Sequence, residues 1–243
     1  MKRIIIIGAT SGIGLELTKI YLSKGWRVGI AGRREEKLRE IKKEYPKQIV
    51  YQPIDVTKDN APSLLQELIT ELGGMDIYFH SSGIGFQNPE LKKEIENNTV
   101  ATNVLGFTSM INLAFHYFSQ KGKGHIAIIS SIAGTKGLGV APAYSATKRF
   151  QNTYIDALEQ LSYLKKKPIH FTDIRPGFVA TDLINGGEGL PLFILDANYV
   201  AKKIANGLEN KRRRLTIDWK YRVLVFFWRL VPNWLWKRLP IKP

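Results

Sequence analysis

The sequence contains no cysteine among its 243 residues and only four histidines. Without cysteine, a disulfide scaffold, thiolate metal sites, a cysteine nucleophile and an iron–sulfur cluster are excluded. The histidines are scattered without the spacing of metal ligands, so no metal centre is expected. No apolar run reaches the roughly 18 residues that span a bilayer, and the run Ile4–Ile7 is too short for a signal peptide. We therefore expect a cytoplasmic protein.

Acidic residues are scarce at the C-terminal end of the chain. Residues 202–243 contain 12 lysines and arginines against two acids, so about two-thirds of the net charge of +15 lies in the last sixth of the sequence. Four of the five tryptophans, Trp219, Trp228, Trp234 and Trp236, lie there too. This shift predicts two parts: a folded domain over residues 1–210 and a basic, tryptophan-rich tail over residues 211–243.

Strand-like and helix-like segments alternate along the chain. Such alternation predicts parallel strands joined by right-handed helical crossovers, because hairpins would place two strands in succession. The fold class expected is α/β, with one doubly wound sheet of about seven parallel strands and helices on both faces. The predicted strands are 3–7, 27–31, 48–52, 76–79, 125–130, 169–174 and 214–217. The predicted helices are 13–24, 34–44, 61–72, 90–120 with a break near Asn97, 144–166 and 197–209.

A glycine-rich turn joins the first predicted strand to the first predicted helix. Glycines at such a turn let main-chain N–H groups and the positive helix end approach a pyrophosphate. The context of strand, turn and helix favours a phosphate loop over a tight turn without a ligand. Its predicted binding residues are Gly8, Thr10, Ser11, Gly12, Ile13 and Gly14.

The end of the second strand predicts which dinucleotide binds. NAD-binding folds place an acid about 20 residues after the glycines, whereas here the strand ends at Arg33 and Arg34. An arginine can pair with a 2′-phosphate that a carboxylate would repel. NADP(H) is therefore favoured over NAD(H), with Arg33 as first partner and Arg34 as second. Glu35 nearby leaves NAD open as an alternative.

Tyr144 and Lys148 stand four residues apart in a predicted helix and so share one face. A tyrosine titrates near pH ~10, and an adjacent ammonium would bring the phenol towards the range needed for proton transfer. Ser131 follows the fifth strand, at the rim where ligands bind in open α/β sheets. Its neighbour Ser130 is expected only to pack.

These motifs together resemble the short-chain dehydrogenase/reductase family. The glycine spacing over residues 8–14 and the order Ser131, Tyr144, Lys148 match that family in residue type and spacing, and Asn103 matches the fourth member of its catalytic tetrad. The resemblance covers about the first 210 residues. It implies an oxidoreductase that interconverts a ketone and a secondary alcohol by hydride transfer from a nicotinamide.

The resemblance also implies roles for individual residues. Tyr144 would exchange the proton, Lys148 would hold the ribose and favour the phenolate, Ser131 would bind the carbonyl oxygen, and Asn103 would carry a water relay. Beyond the loop and the two arginines, the cofactor residues implied are Asp55, Val56, Ser82, Gly83, Tyr144, Lys148, Pro176, Gly177, Val179 and Thr181.

The sequence departs from the family pattern at one residue and in one short segment. Ile7 replaces the family's leading threonine, and the segment from His80 to Gly83 replaces its usual Asn-Asn-Ala-Gly, which places Ser82 where a small alanine normally packs. For Asp55, contact with the adenine and capping of the chain near Thr57 remain equal alternatives.

The last third of the chain bears on the substrate. Residues 182–195 occupy the family's mobile substrate-covering segment and are rich in glycine and apolar residues. The tail is predicted to form two short helices separated by Pro232 that lie on an anionic membrane surface, at the inner face of a membrane. Packing on its own body or on a second subunit are the alternatives, and nucleic-acid binding is not expected.

The substrate expected from both features is a hydrophobic carbonyl or alcohol, with long-chain keto-lipids and steroid-like ketones as candidates by family resemblance. A soluble 3-ketoacyl or small-ketone reductase, or a non-catalytic NADP-binding sensor or scaffold, are the alternatives. The resemblance further implies a homodimer or homotetramer formed through helices over residues 99–120 and 144–166.

Overall fold

The computed structural model describes residues 1–180 and 194–239. Seven parallel strands form one sheet in the order β3-β2-β1-β4-β5-β6-β7, which confirms the predicted doubly wound architecture. The strands are β1 (Arg3–Ile7), β2 (Arg27–Gly32), β3 (Ile49–Pro53), β4 (Ile77–His80), β5 (Gly124–Ile129), β6 (Ile169–Pro176) and β7 (Arg214–Ile217). The α-helices are α1 (Gly12–Ser23), α2 (Glu35–Glu44), α3 (Ala61–Leu72), α4 (Lys93–Val100), α5 (Phe107–Lys121), α6 (Pro142–Leu164), α7 (Ala197–Glu209), α8 (Trp219–Leu230) and α9 (Asn233–Trp236).

The central strand β1 explains why both faces of the sheet are covered. Its isoleucines point alternately to the two faces: Ile5 and Ile7 join the core under α3, α5 and α6, whereas Ile4 and Ile6 join the core under α1, α2 and α7. All four are at most 1% exposed. Burial of each isoleucine side chain contributes about 2 kcal/mol to folding. Because every residue of the run is apolar, both faces of the strand can be covered by helices.

The predicted helix over residues 90–120 divides differently from expectation. Instead of a break near Asn97, α4 continues without a gap into a π-helical turn, Ala101–Gly106, which leads into α5. This π turn contains Asn103 and lies under the carboxyl edge of the sheet. It therefore places a predicted site residue on a locally widened helix.

Beyond residue 210 the chain continues the sheet before it forms the tail helices. β7 pairs with β6 in register Asp173↔Arg214 to Pro176↔Ile217, so the seventh strand lies inside the segment predicted as tail. Two helices, α8 and α9, then follow on either side of Pro232, as predicted. Among the described residues, none of the helices has the length and apolarity needed to cross a membrane.

Candidate active site

The glycine loop after β1, residues 8–14, here called the glycine cradle, lies too close to the protein's own main chain for a side chain at two of its positions. Gly8 has φ +87°, and a Cβ built on it would lie 2.8 Å from the main-chain nitrogen of Ser82. A Cβ on Gly14 would lie 2.1 Å from the Gly8 carbonyl oxygen. Both glycines are therefore required by close main-chain contacts, as a phosphate-binding turn demands.

The N-terminus of α1 opens onto this cradle. Within the described ranges, the Ser11 side chain makes no hydrogen bond that caps α1. Instead its hydroxyl accepts a hydrogen bond from Arg34 Nη2 at 2.6 Å, and Thr10 Oγ1 accepts from the same nitrogen at 2.8 Å. The first N–H groups of α1 are thus left for a ligand, and an arginine lies across the loop.

The two arginines after β2 lie in different surroundings. Arg34 contacts the loop hydroxyls, whereas Arg33 is exposed and acts electrostatically on Asp55. Arg33 was expected to be the first partner of a 2′-phosphate and Arg34 the second. The geometry instead places Arg34 against the phosphate loop, a difference that depends on which way each side chain turns after the strand.

Asp55 follows β3 and organises the next turn. Its Oδ1 accepts hydrogen bonds from Thr57 N at 3.0 Å and from Thr57 Oγ1 at 2.8 Å. Burial alone would raise the pKa of Asp55, but these bonds and the charge of Arg33 lower it. The carboxylate therefore does stabilise the chain near Thr57. Val56, beside it, is buried, and its carbonyl oxygen would lie 2.5 Å from a Cβ on Gly106.

Ser131, Tyr144 and Lys148 come together at the carboxyl edge of the sheet. Ser131 ends the segment after β5 and accepts a hydrogen bond from Ala133 N, so it begins a 3-10 turn, Ile132–Thr135. Tyr144 and Lys148 lie on the first two turns of α6, which Pro142 starts at its first position. Lys148 Nζ lies 5.7 Å from the centroid of the Tyr144 ring.

Burial controls the protonation of this pair. It raises the pKa of Tyr144, and the Ser131 hydroxyl partly offsets the effect by hydrogen bonding. It lowers the pKa of Lys148 to about 8, against the raising effect of the Asp173 carboxylate. The Lys148 ammonium was expected to lower the pKa of the Tyr144 phenol. In the structure, the hydrogen bond with Ser131 lowers it.

Asn103 is held rigidly within the π turn. Its Oδ1 accepts from Ile84 N at 2.9 Å, and its Nδ2 donates to Ile84 O at 2.7 Å. The side chain therefore fixes the loop that follows β4, and a Cβ on Gly83 would lie 3.2 Å from Asn103 Oδ1 and 3.3 Å from Lys148 Nζ. Asn103 Oδ1 and Lys148 Nζ therefore both lie against Gly83, on the side where a side chain would project.

Sequence reasoning missed Gln151, which connects two of the predicted site residues. Its Oε1 accepts from Lys148 Nζ at 3.1 Å, and its Nε2 donates to the Asn103 carbonyl oxygen at 3.0 Å. Lys148 also donates to Ile129 O at 3.0 Å. The available signal was a glutamine three residues after Lys148, on the same helix face.

His80, which stands where the family usually has asparagine, is the last residue of β4 and is buried with a neutral ring. Its Nδ1 lies 2.9 Å from the Tyr78 hydroxyl, and its edge meets Phe107 with centroids 5.2 Å apart. Burial, followed by the charge of Lys148, lowers the pKa of His80 to about 3. Of the two predicted cofactor residues that follow, Ser82 lies beside Gly8 of the glycine loop and Gly83 lies beside Lys148.

The segment after β6 packs against helix α8. Pro176 ends the strand, and a Cβ on Gly177 would lie 2.1 Å from the Tyr221 ring of α8. Val179 is buried and pairs with Leu195 in an isolated bridge. Thr181 and most of the predicted substrate-covering segment lie outside the described residues.

Comparisons with known proteins agree with this geometry. The family model described as short chain dehydrogenase matches residues 2–187. An uncharacterised oxidoreductase of Mycobacterium tuberculosis is 29% identical over 228 residues, covering 90% of this chain and 88% of its own.

Two solved structures share the fold, each at 23% identity with a TM-score of 0.79. A serine dehydrogenase complexed with NADP⁺ covers 88% of this chain and 94% of its own. A 3-ketoacyl-(acyl-carrier-protein) reductase from Brucella melitensis complexed with NADH covers 89% of this chain and 96% of its own. The match over three-quarters of the sequence, together with the cradle and the Ser131–Tyr144–Lys148 cluster, leads to one assignment: the chain belongs to the short-chain dehydrogenase family and is an NAD(P)-dependent oxidoreductase.

Proposed function

We propose that the protein is an NADP(H)-dependent reductase that interconverts a ketone and a secondary alcohol, and that its substrate is a hydrophobic, lipid-like carbonyl taken up at a membrane surface. The observation that carries the chemistry is the cluster of the Ser131 hydroxyl, the Tyr144 phenol and the Lys148 amine beside the glycine cradle. The observation that carries the location is the exposed face of α8 and α9 described below.

The residues present fit a nicotinamide dinucleotide. The cradle at Gly8 and Gly14 admits main chain only, and the N-terminus of α1 offers N–H groups to a pyrophosphate. On this proposal, Asp55 and Val56 lie near the adenine, Tyr144 and Lys148 near the ribose, and Pro176, Gly177, Val179 and Thr181 near the nicotinamide. The bound cofactor supplies the hydride, and the protein supplies orientation and proton transfer.

Ser131, Tyr144 and Lys148 have different roles in the proton transfer. Ser131 Oγ donates a hydrogen bond to the carbonyl oxygen and holds it near Tyr144, whose Oη gives up its proton as negative charge develops on that oxygen. The nearby Lys148 ammonium stabilises the resulting phenolate. In the oxidising direction the same groups act in reverse, with Tyr144 accepting the alcohol proton.

Preference for NADP(H) rests on Arg34. Its guanidinium already lies against the Thr10 and Ser11 hydroxyls, at the end of β2 where the ribose of a dinucleotide binds. A 2′-phosphate there would gain charge-assisted hydrogen bonds from Arg34 and the charge of Arg33.

One side of the tail packs against the catalytic domain. On α8, Tyr221, Val225 and Trp228 recur at helical spacing on the inner side, and Tyr221 is 2% exposed. At the turn between α8 and α9, Lys136 Nζ donates to Val231 O at 2.5 Å, and Trp236 Nε1 donates to the carbonyl oxygen of Gly137 at 2.8 Å. These contacts seat the tail beside the loop that begins at Ser131.

The other side of the tail exposes apolar rings between basic side chains. The apolar residues on this outer face, each more than a third exposed, are Trp219, Val223, Leu224, Phe226, Phe227, Leu230, Trp234, Leu235 and Leu239. The exposed basic residues include Arg222, Arg229, Lys237 and Arg238. Large apolar side chains ringed by positive charge fit an anionic lipid surface, where each basic residue adds roughly 1 kcal/mol.

A paired vesicle experiment tests the membrane part of the proposal. The variant Phe227→Ser/Trp234→Ser removes two outer-face rings, and Tyr163→Ser/Leu164→Ser removes two exposed apolar residues at the end of α6 as the matched control. We expect the parent and the control to sediment with phosphatidylglycerol vesicles, less so at high salt, and the tail variant to stay in the supernatant. Equal sedimentation of all three would contradict the proposal. So would a parent dimer that the tail variant converts to a monomer without any vesicle binding.

The substrate class is tested by NADPH oxidation at neutral pH with a long-chain 3-keto lipid in mixed micelles and, in parallel, a short water-soluble ketone. Turnover with the micellar lipid alone supports the full proposal. Turnover with the soluble ketone alone would support the reductase activity and contradict a substrate taken up at a membrane. Binding of NADPH without turnover of either substrate would favour the sensor or scaffold alternative.

A further inference from the structure

A buried carboxylate lies near the active site and binds residues next to Ser131, Lys148 and Pro176. Asp173, on β6, is 0% exposed, as expected only for an acid with strong partners. Ser130 Oγ donates to its Oδ1 at 2.5 Å, and Asn152 Nδ2 donates to its Oδ2 at 3.2 Å. Arg175 pairs with Oδ2 through Nε at 2.7 Å.

Each partner is close in sequence to a site residue. Ser130 directly precedes Ser131, Asn152 lies one helical turn after Lys148 on α6, and Arg175 directly precedes Pro176. We infer that Asp173 is a positioning residue whose carboxylate ties the ends of β5 and β6 to α6. The inference rests on the proposed function, in which Lys148 stabilises the Tyr144 phenolate.

The packing of the neighbouring turn supports this role. A Cβ on Gly134 would lie 2.7 Å from Asn152 Oδ1 and 2.8 Å from the carbonyl carbon and oxygen of Lys148. The 3-10 turn that Ser131 begins therefore rests on the same part of α6 that Asp173 holds. A shift of Asn152 would move both Ser131 and Lys148.

The charge of Asp173 acts against the effect of burial on Lys148. Within residues 1–180 and 194–239, the ionisable groups around this amine are Tyr144 on its own helix, His80 at the end of β4 and Asp173 on β6, which is itself paired with Arg175. Burial lowers the pKa of Lys148 to about 8, whereas Asp173 raises it, so removal of the carboxylate charge must lower this pKa further.

The test is an NMR titration of Lys148 in the protein without substrate or cofactor, followed through the ¹³Cε resonance in protein made with ¹³C-labelled lysine. The resonance is assigned by its loss in Lys148→Arg. We expect Asp173→Asn to move the titration midpoint of Lys148 to lower pH. The matched control is Asp76→Asn at the opposite end of the sheet, whose carboxylate pairs with Lys121 and Arg3; it should leave the midpoint of Lys148 unchanged.

A second pair of variants covers the case in which Asp173→Asn does not fold. Ser130→Ala keeps the charge and removes one tie, and Ser130→Thr restores the hydroxyl. Positioning predicts at least about a tenfold loss of turnover in Ser130→Ala and recovery in Ser130→Thr. Unchanged Lys148 titration in a folded Asp173→Asn, or full turnover in Ser130→Ala, would overturn the inference. Since the titration needs no substrate, its result is separate from failure of the proposed reaction.

Discussion

Gly85 lies against the ring of Tyr144 so closely that a Cβ built on the glycine would come within 2.6 Å of two ring carbons, Cδ2 and Cε2. The loop after β4, which Asn103 fixes through Ile84, thus forms one wall of the phenol site. Because the main chain itself makes this contact, the position of Tyr144 depends on a residue without a side chain.

This contact predicts that Gly85→Ala displaces the phenol. A displacement of about 1 Å at a reacting group can lower the rate by about a hundredfold, so turnover should fall at least about tenfold while the fold is kept. Gly139→Ala is the matched control, since a Cβ there meets nothing within 4 Å. Steady-state rates of both variants on the substrate identified by NADPH oxidation provide the measurement. Equal rates would show that Tyr144 is not held by this wall.

Replacement of the proton donor should separate binding from chemistry. Tyr144→Phe keeps the ring that packs against Gly85 but removes the hydroxyl. We therefore expect normal circular dichroism, unchanged NADPH affinity by fluorescence, and turnover lowered by about a hundredfold or more. A variant that retained a tenth of the parent's activity would contradict the assignment of Tyr144 as proton donor.

The two arginines after β2 should differ in their effect on cofactor choice. Arg34→Ala removes the guanidinium at the phosphate loop, so NADPH affinity should fall about tenfold or more while NADH affinity changes little. Arg33→Ala should have a smaller effect of the same kind. Arg39→Ala, which removes an exposed ion pair with Glu35 and a hydrogen bond with Tyr51, serves as the control. Equal losses for the two cofactors in Arg34→Ala would remove the preference for NADP(H).

Asp76 provides a test of stability against pH. Burial alone would raise the pKa of Asp76, but hydrogen bonds from Lys121 and from the Arg3 main chain outweigh it and lower the pKa. A carboxyl with a lowered pKa stabilises the fold above the unfolded value near ~4 and loses that contribution as pH falls. Urea unfolding should show Asp76→Asn less stable by roughly 1 kcal/mol at pH 7 and the difference shrinking at acidic pH. A difference that stayed constant down to acidic pH would contradict this origin.

Sequence patterns were sufficient for the architecture because they act locally. Runs such as Ile4–Ile7 can be satisfied only by a strand that is covered on both faces, and glycines between a strand and a helix predict the cradle. The spacing of Tyr144 and Lys148 likewise predicts a shared helix face. These inferences need no knowledge of distant contacts.

The features that could not be predicted depend on contacts between distant segments. Gln151 becomes relevant only because α6 packs against the π turn, and Ser130, expected merely to pack, meets Asp173 only because β5 and β6 are neighbours. Whether Arg33 or Arg34 turns towards the loop is decided by side-chain torsions that spacing does not report.

The π turn at Ala101–Gly106 affects how the chain can tolerate insertions and deletions. A π turn holds one residue more than the α-helical turn it replaces, so loss of a single residue there would restore a regular α-helix. Each residue of an α-helix accounts for about 100° of rotation. Deletion of the exposed Leu105 would therefore swing Asn103 around the helix axis, away from Ile84, instead of merely shortening the segment. In a variant with one residue fewer here, we expect a different side chain to face the loop after β4.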